Sequence, residues 1–138
     1  MLNRMVPYSL YIHIPFCQKR CYYCDFNTYA GQANVIPSFV CALCAEIETV
    51  TKQAGEKLPV HTIYFGGGTP SLLTINQFTR VIDSLKRSFQ LLPDLEMTLE
   101  ANPGTVSPLY LNDLVALGFN RISFGMQSAD DDLLRLLG

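Results

Sequence analysis

The chain has no tryptophan, only two histidines, and charged side chains at just 16% of its 138 residues. Lysine plus arginine number 10 against 12 acidic residues, a net charge of −2. That balance removes the electrostatic case for a nucleic-acid partner, and Lys19-Arg20 is too short to count as a basic patch. No unbroken apolar run reaches the ~18 residues of a membrane span, so no transmembrane segment is expected. The first residues lack the apolar core and cleavage site of a secretion signal. Internal repeats, low-complexity tracts and Ser/Gly linkers are also missing. Hydrophobic residues make up 49% of the chain, enough for the packed core of one domain.

Cysteine is abundant and unevenly spread. Cys17, Cys21 and Cys24 form a C-x3-C-x2-C run, with Cys41 and Cys44 further on. Clustered thiols without a secretion signal point to a reducing, cytoplasmic setting. Three thiolates in one short loop can hold three corners of a [4Fe–4S] cluster, which usually takes four cysteines, and so leave one iron open. An open metal position marks a working site rather than a structural one. Three alternatives stand beside this. At helical spacing the three would share one face as buried core cysteines, but Pro15 and the polar stretch Gln18-Lys19-Arg20 argue against it. Structural zinc needs a fourth ligand, and His13, Asp25, Cys41, Cys44 and His61 all lie at unusual spacings. The odd total of five cysteines speaks against a disulfide scaffold.

Four β-like runs, at 9–15, 61–65, 96–101 and 121–127, alternate with helical patterns. Over 35–54, Ile36, Phe39, Val40, Leu43, Ile47 and Val50 keep helical spacing. Thr74-Ile-Asn-Gln77 reads as a capping box opening a second helix, with Phe78, Val81, Ile82, Leu85 and Phe89 as its apolar face. Ser107-Pro108 opens a third that stops at Gly118. A fourth starts near Ser128, where residues 130–132 suit a helix dipole better than a metal. Alternating β and α predicts a parallel sheet with crossover helices. Strand one sets Leu10, Ile12 and Ile14 against Ser9, Tyr11 and His13. Strand three sets Met97 and Leu99 against Glu96, Thr98 and Glu100. Strand four sets Ile122, Phe124 and Met126 against Ser123, Gly125 and Gln127. One apolar and one polar face per strand fits a (β/α) barrel with a polar interior better than an open sheet covered on both sides.

Ligand sites in such folds lie at the carboxyl ends of the strands. Here those ends carry Tyr11 and His13 before the cysteine loop, Gly66-Gly-Gly-Thr-Pro70, Glu100 before Asn102-Pro-Gly104, and Gln127. The glycine run allows close backbone approach. It lacks the Lys of a phosphate loop and the G-x-G-x-x-G of dinucleotide sites, and its carbonyls suit an ammonium group. A plain strand-to-helix turn is the simpler account of it, a surface carboxylate of Glu100, and helix capping of Gln127. Cys41 and Cys44 fit core or interface packing, with a second metal site as the alternative. His13 fits a structural hydrogen bond near the loop, with a haem-ligand role as the alternative.

The cysteine loop after the first strand and Gly-Gly-Thr-Pro after the second resemble the radical S-adenosylmethionine (SAM) superfamily. Tyr11-Ile-His-Ile-Pro-Phe-Cys17, Gly66-Gly-Gly-Thr-Pro-Ser71, Leu99-Glu-Ala-Asn-Pro-Gly-Thr105 and Asn120-Arg-Ile-Ser-Phe-Gly-Met-Gln127 are similar to its branch of oxygen-independent coproporphyrinogen III oxidases and HemW-type haem chaperones. The resemblance implies that Cys17, Cys21 and Cys24 ligate the cluster and that SAM chelates the open iron. It also implies that the backbone of Gly67, Gly68 and Thr69 holds the SAM amino group, and that Tyr11, Tyr23, Glu100 and Gln127 line the SAM site. Reductive cleavage of SAM to a 5′-deoxyadenosyl radical would be the cofactor's chemistry. Haem or a porphyrinogen, an electron donor and a haem-acceptor protein are the implied partners.

Oxidases of the branch tend to carry a further cysteine two residues after the third, where this chain has Phe26. That departure favours haem handling; porphyrinogen oxidation is the alternative. Family members have six βα units and a C-terminal domain. Residues 1–138 would supply about four units, an N-terminal part of the core, so an inactive fragment or a structural zinc module are further alternatives.

Overall fold

The computed structural model describes residues 6–138; residues 1–5, part of the N-terminus read above as lacking a secretion signal, lie outside the described residues. Four parallel strands form the main sheet: β1 (Tyr8–Ile14), β4 (Pro59–Gly67), β5 (Gln90–Ala101) and β6 (Arg121–Phe124). They lie side by side in chain order, with no reversal of the kind that defines a doubly wound sheet. Crossovers are α1 (Ile36–Ala54), α2 (Ile75–Ser88) and α3 (Pro108–Leu117), and α4 (Asp131–Leu137) follows β6. Helix α2 packs on both α1 and α3, so the three line one face of the sheet. This is a partial (β/α) barrel wall of four parallel strands.

Local chemistry explains the helix ends. Thr74 Oγ1 accepts from the Gln77 amide and Gln77 Oε1 accepts from the Thr74 amide, so two otherwise orphaned donors are satisfied reciprocally. Ser107 caps α3 ahead of Pro108, and Gly118 ends it in the left-handed conformation that L side chains resist. Asp130 Oδ1 accepts from the amides of Asp132 and Leu133, so this acidic run is a helix start. The irregular entry to β5, with Pro93 inside it, is patched by Asn120. Its side chain bridges the Leu95 carbonyl at 2.8 Å and the Met97 amide at 2.9 Å.

The core lies between the sheet and the helices. Ile12, Ile14, Ile63, Phe65, Met97 and Leu99 meet Val40 and Ile47 of α1, Phe78, Val81, Ile82 and Leu85 of α2, and Leu114 of α3. Phe65, Phe78 and Phe119 form a triangle of rings 5.2–5.5 Å apart. Parallel pairing puts laterally aligned residues on one face. The opposite face therefore carries the row Tyr11, Tyr64, Thr98, Arg121 and, one step on, His13, Gly66, Glu100 and Ser123. This is the polar interior.

Several expectations need correction. β6 ends at Phe124, not at residue 127: the Gly125 amide makes the last bond to β5, on the Ala101 carbonyl at 3.0 Å, and Gln127 then turns to φ 60°. Phe124 and Met126, assigned to an apolar packing face, are exposed at the edge. Val50 keeps the period of α1 but is also exposed. The stretch Ala33–Ala54 is, by length and composition, apolar enough to cross a membrane, with a mean hydropathy of 1.4. Counting unbroken apolar runs missed it because Glu46, Glu48 and Lys52 interrupt the stretch. Its buried face, Ile36, Val40 and Ile47, is used in covering the sheet and α2.

Candidate cluster and cofactor site

The cysteine loop springs from the end of β1 and is pinned at its base. Short strands β2 (Phe16–Cys17) and β3 (Tyr29–Ala30) pair in parallel across it. The Tyr29 amide donates to the Pro15 carbonyl at 2.7 Å and the Gly31 amide to the Cys17 carbonyl at 3.1 Å. Within the loop, the Arg20 guanidinium donates to the carbonyls of Cys24 and Phe26, both at 3.2 Å. The loop is also tied to the sheet. His13 Nε2 donates to the Asn27 carbonyl at 3.1 Å, which leaves Nδ1 to accept from Tyr11 Oη at 3.0 Å. Both ring nitrogens are engaged, which matches a structural role for His13 and leaves neither nitrogen free for haem.

The glycine run meets this loop from β4. The Gly68 amide donates to the Ile14 carbonyl and the Thr69 amide to the Phe16 carbonyl, while the Gly67 amide donates to Glu100 Oε2 at 3.2 Å. With three successive amides used internally, the run is unsuited to cradling a phosphate. A Cβ on Gly68 would stand 2.6 Å from the Phe16 carbonyl oxygen and 3.0 Å from Cys17 Sγ, so only glycine permits this approach. Glu100 is held from both sides, its Oε1 accepting from Tyr64 Oη at 2.6 Å. Each carboxylate oxygen keeps a lone pair for a further donor.

A cleft of about 480 Å³ opens where these elements meet. Cys17, Cys21, Cys24, Tyr23, Gly67, Gly68, Thr69, Glu100 and Gln127 all line it; Tyr11, the remaining expected residue, does not. Tyr11 instead stacks on Tyr64, with ring centroids 6.1 Å apart, and bonds His13. Phe26, 66% exposed, also lines the cleft. Arg20 and Asn102, to which sequence reasoning gave no role of their own, are both in the lining. Arg20 reads in the sequence only as part of too short a basic patch, and Asn102 only as a neighbour of Glu100 at the strand end. Its position directly after the strand bearing Glu100 was the available signal.

Burial sets the protonation of the phenols. It raises Tyr64 above the ordinary tyrosine value, helped by the Glu100 carboxylate, and raises Tyr11 with a smaller contribution from the same charge. Burial also raises Tyr23, which lies against Cys21. All three are therefore donors at neutral pH. The five cysteines are free thiols. Among the described residues, no three His, Cys, Asp or Glu side chains converge as a finished metal site. The donor set still suits an iron–sulfur group: three soft ligands face one cleft from a loop pinned at its base, and Gly68 leaves room beside the first.

Residues 11–138 match the radical SAM superfamily. The chain belongs to that superfamily. It is 42% identical over 134 residues to the haem chaperone HemW of Mycobacterium tuberculosis, covering 95% of this chain and 34% of the relative. Against Escherichia coli HemW it is 40% identical over 136 residues, 98% of this chain and 36% of the relative. A bovine mitochondrial protein, radical S-adenosyl methionine domain-containing protein 1, is 40% identical over 130 residues, 94% of this chain and 29% of the relative. The chain thus spans about a third of the length of the curated relatives it matches. Among solved structures, E. coli coproporphyrinogen III oxidase (HemN), a radical SAM enzyme, superposes with a TM-score of 0.88 at 35% identity, over 95% of this chain and 30% of that one. The radical SAM fold is therefore shared across the partial barrel.

Proposed function

We propose that this chain supplies the cluster- and SAM-binding part of a haem-handling radical SAM protein, an N-terminal portion of its core domain acting in a reducing cytoplasm. The observation that carries the reading is the meeting of the cysteine loop and the glycine run at one cleft, with Phe26 in the lining. Phe26 stands where the oxidases of the branch tend to carry another cysteine. The HemW proteins matched at 40–42% identity are named as haem chaperones.

Cys17, Cys21 and Cys24 would hold three irons of a [4Fe–4S] cluster, and SAM would bind at the fourth. When bound, the pair supplies one-electron chemistry, which the protein positions and does not itself perform. The cleft is zwitterionic. Glu100 offers carboxylate lone pairs to an ammonium group, and the backbone of residues 67–69 lies beside it. Lys19 and Arg20 outnumber Asp25 on the cysteine side, which suits a ligand carboxylate. Tyr64, raised and protonated, orients Glu100. Tyr23 and Gln127 flank the same space, and Tyr11 acts from behind through His13.

The test uses the full-length protein, purified and reconstituted without oxygen. Stoichiometric haem binding in the visible spectrum, transfer to an apo-haem protein and no conversion of coproporphyrinogen III are expected. Absence of haem binding rejects the chaperone reading. The structural likeness to HemN favours a second reading, anaerobic oxidation of coproporphyrinogen III with SAM and an electron donor. Formation of protoporphyrinogen IX in that assay decides for it. Zinc without sulfide in the purified protein rejects both.

A further inference from the structure

Cys41 and Cys44 lie outside the lining of the cleft, on the seam between α1 and α2. They are one helical turn apart and both touch Arg80 of α2. The Arg80 guanidinium donates to Cys41 Sγ at 3.1 Å, and Cys44 Sγ donates to the Arg80 carbonyl at 3.7 Å. Cys41 is exposed and Cys44 half-buried. The two thiols therefore differ. The outer sulfur is open to solvent with the Arg80 guanidinium against it, so it is the one a small oxidant reaches first. The inner thiol is pushed up by burial, and its proton is held on a carbonyl.

We propose that Cys41 and Cys44 form a peroxide-responsive dithiol, with Cys41 as the attacking sulfur and Cys44 as the resolving one. Cys41 sulfur attacks one oxygen of a hydroperoxide; the O–O bond breaks, an S–O bond forms, and water or an alcohol leaves. Cys44 sulfur then attacks the sulfenic sulfur; the S–O bond breaks, an S–S bond forms, and water leaves. Two electrons pass from the dithiol to the peroxide. Residues at i and i+3 have Cβ atoms about 5–6 Å apart, whereas a relaxed disulfide wants about 3.5–4.5 Å. The bond must therefore tighten that turn of α1, and a strained disulfide is readily reduced again. Closing it withdraws Cys41 from Arg80 and Cys44 from its carbonyl, so oxidation loosens the α1–α2 seam behind the sheet.

The experiment treats the full-length protein, anaerobically loaded, with limited hydrogen peroxide. Chymotryptic peptides, which separate this pair from the cysteine loop, are read by mass. A Cys41–Cys44 disulfide reversible by a thiol reductant is expected. Cys44→Ser should instead accumulate a sulfenic acid at Cys41, trapped by dimedone, and Arg80→Leu should slow Cys41 oxidation roughly tenfold through loss of one charge-assisted hydrogen bond. Arg80→Lys, keeping the charge, should recover part of that rate. Oxidation of Cys41 at the same rate in Arg80→Leu, or peroxide consumption confined to Cys17, Cys21 and Cys24, overturns the proposal.

Discussion

Thr69 Oγ1 lies 3.8 Å from Cys17 Sγ and donates to it, while accepting from Asn102 Nδ2 at 3.4 Å. One buried hydroxyl thus links the turn after β5, the glycine run after β4 and the first cysteine after β1. A donor on a cluster-bound sulfur favours the reduced, more negative cluster and raises its potential. In the cluster-loaded full-length protein, Thr69→Val should shift the midpoint potential to a more negative value, and Thr69→Ser should leave it near the wild type. An EPR-monitored redox titration reads this directly. Equal potentials in both variants would confine Thr69 to a packing role.

Glu100 joins Tyr64 and Gly67 across two strands. Glu100→Ala leaves a phenol and an amide without their acceptor, and each hydrogen bond to a charged group contributes about 1.5–3 kcal/mol. A lower urea midpoint and a loss of SAM affinity in calorimetry are expected together. Glu100→Gln can still accept one bond through its carbonyl, so it should recover most of the stability without the charge that meets an ammonium group. Stability and affinity recovering in parallel would argue against an electrostatic role.

Tyr110 is an alkaline sensor of the fold. Its hydroxyl donates to the Leu73 carbonyl at 2.7 Å and approaches the Ser71 carbonyl at 3.3 Å, fastening α3 to the turn after the glycine run. Burial raises the phenol far above its ordinary value. The unfolded chain releases this proton near pH ~10, the folded one only higher. The contribution is therefore fully present below ~10 and is lost as pH rises toward the folded value. Tyr110→Phe should cost about 1 kcal/mol at neutral pH and flatten the loss of stability on the alkaline side. Denaturant midpoints across alkaline pH test it; an unchanged slope counts against Tyr110 as its source.

Much of this arrangement is legible in the chain. The period-2 runs place Leu10, Ile12 and Ile14 on the core side and Tyr11 and His13 inward, and parallel pairing then aligns Glu100 with the glycine run. The Thr74 capping box and the Ser107-Pro108 start depend on neighbouring residues alone, so local reading suffices. What escapes is whatever depends on closure through space. Phe16 pairs with Tyr29 only because the cysteine loop returns to its own base. Val50, Phe124 and Met126 have the right periodicity and chemistry but are not closed over by the rest of the described residues and stay exposed. Arg20 serves two carbonyls of its own loop, a use that charge counting does not reveal.

Glycine substitutions separate crowding from flexibility. At Gly68 the atoms met by a Cβ are Phe16 carbonyl oxygen at 2.6 Å, and Phe16 carbonyl carbon and Cys17 Sγ at 3.0 Å. Two of these are backbone, inside a ladder that also anchors the cysteine loop, so they cannot yield as a flexible side chain would. Gly68→Ala should cost about 1–3 kcal/mol by overpacking and push the first cysteine off its position. Iron and sulfide content after anaerobic reconstitution should then fall. Gly104, in the turn after β5, has nothing within 4 Å of its Cβ position, so Gly104→Ala should stay within about 0.5 kcal/mol of the parent. Urea unfolding and iron analysis of both variants form the check. If Gly68→Ala loads iron like Gly104→Ala, the contact between the glycine run and Cys17 does not set the geometry of the cysteine loop.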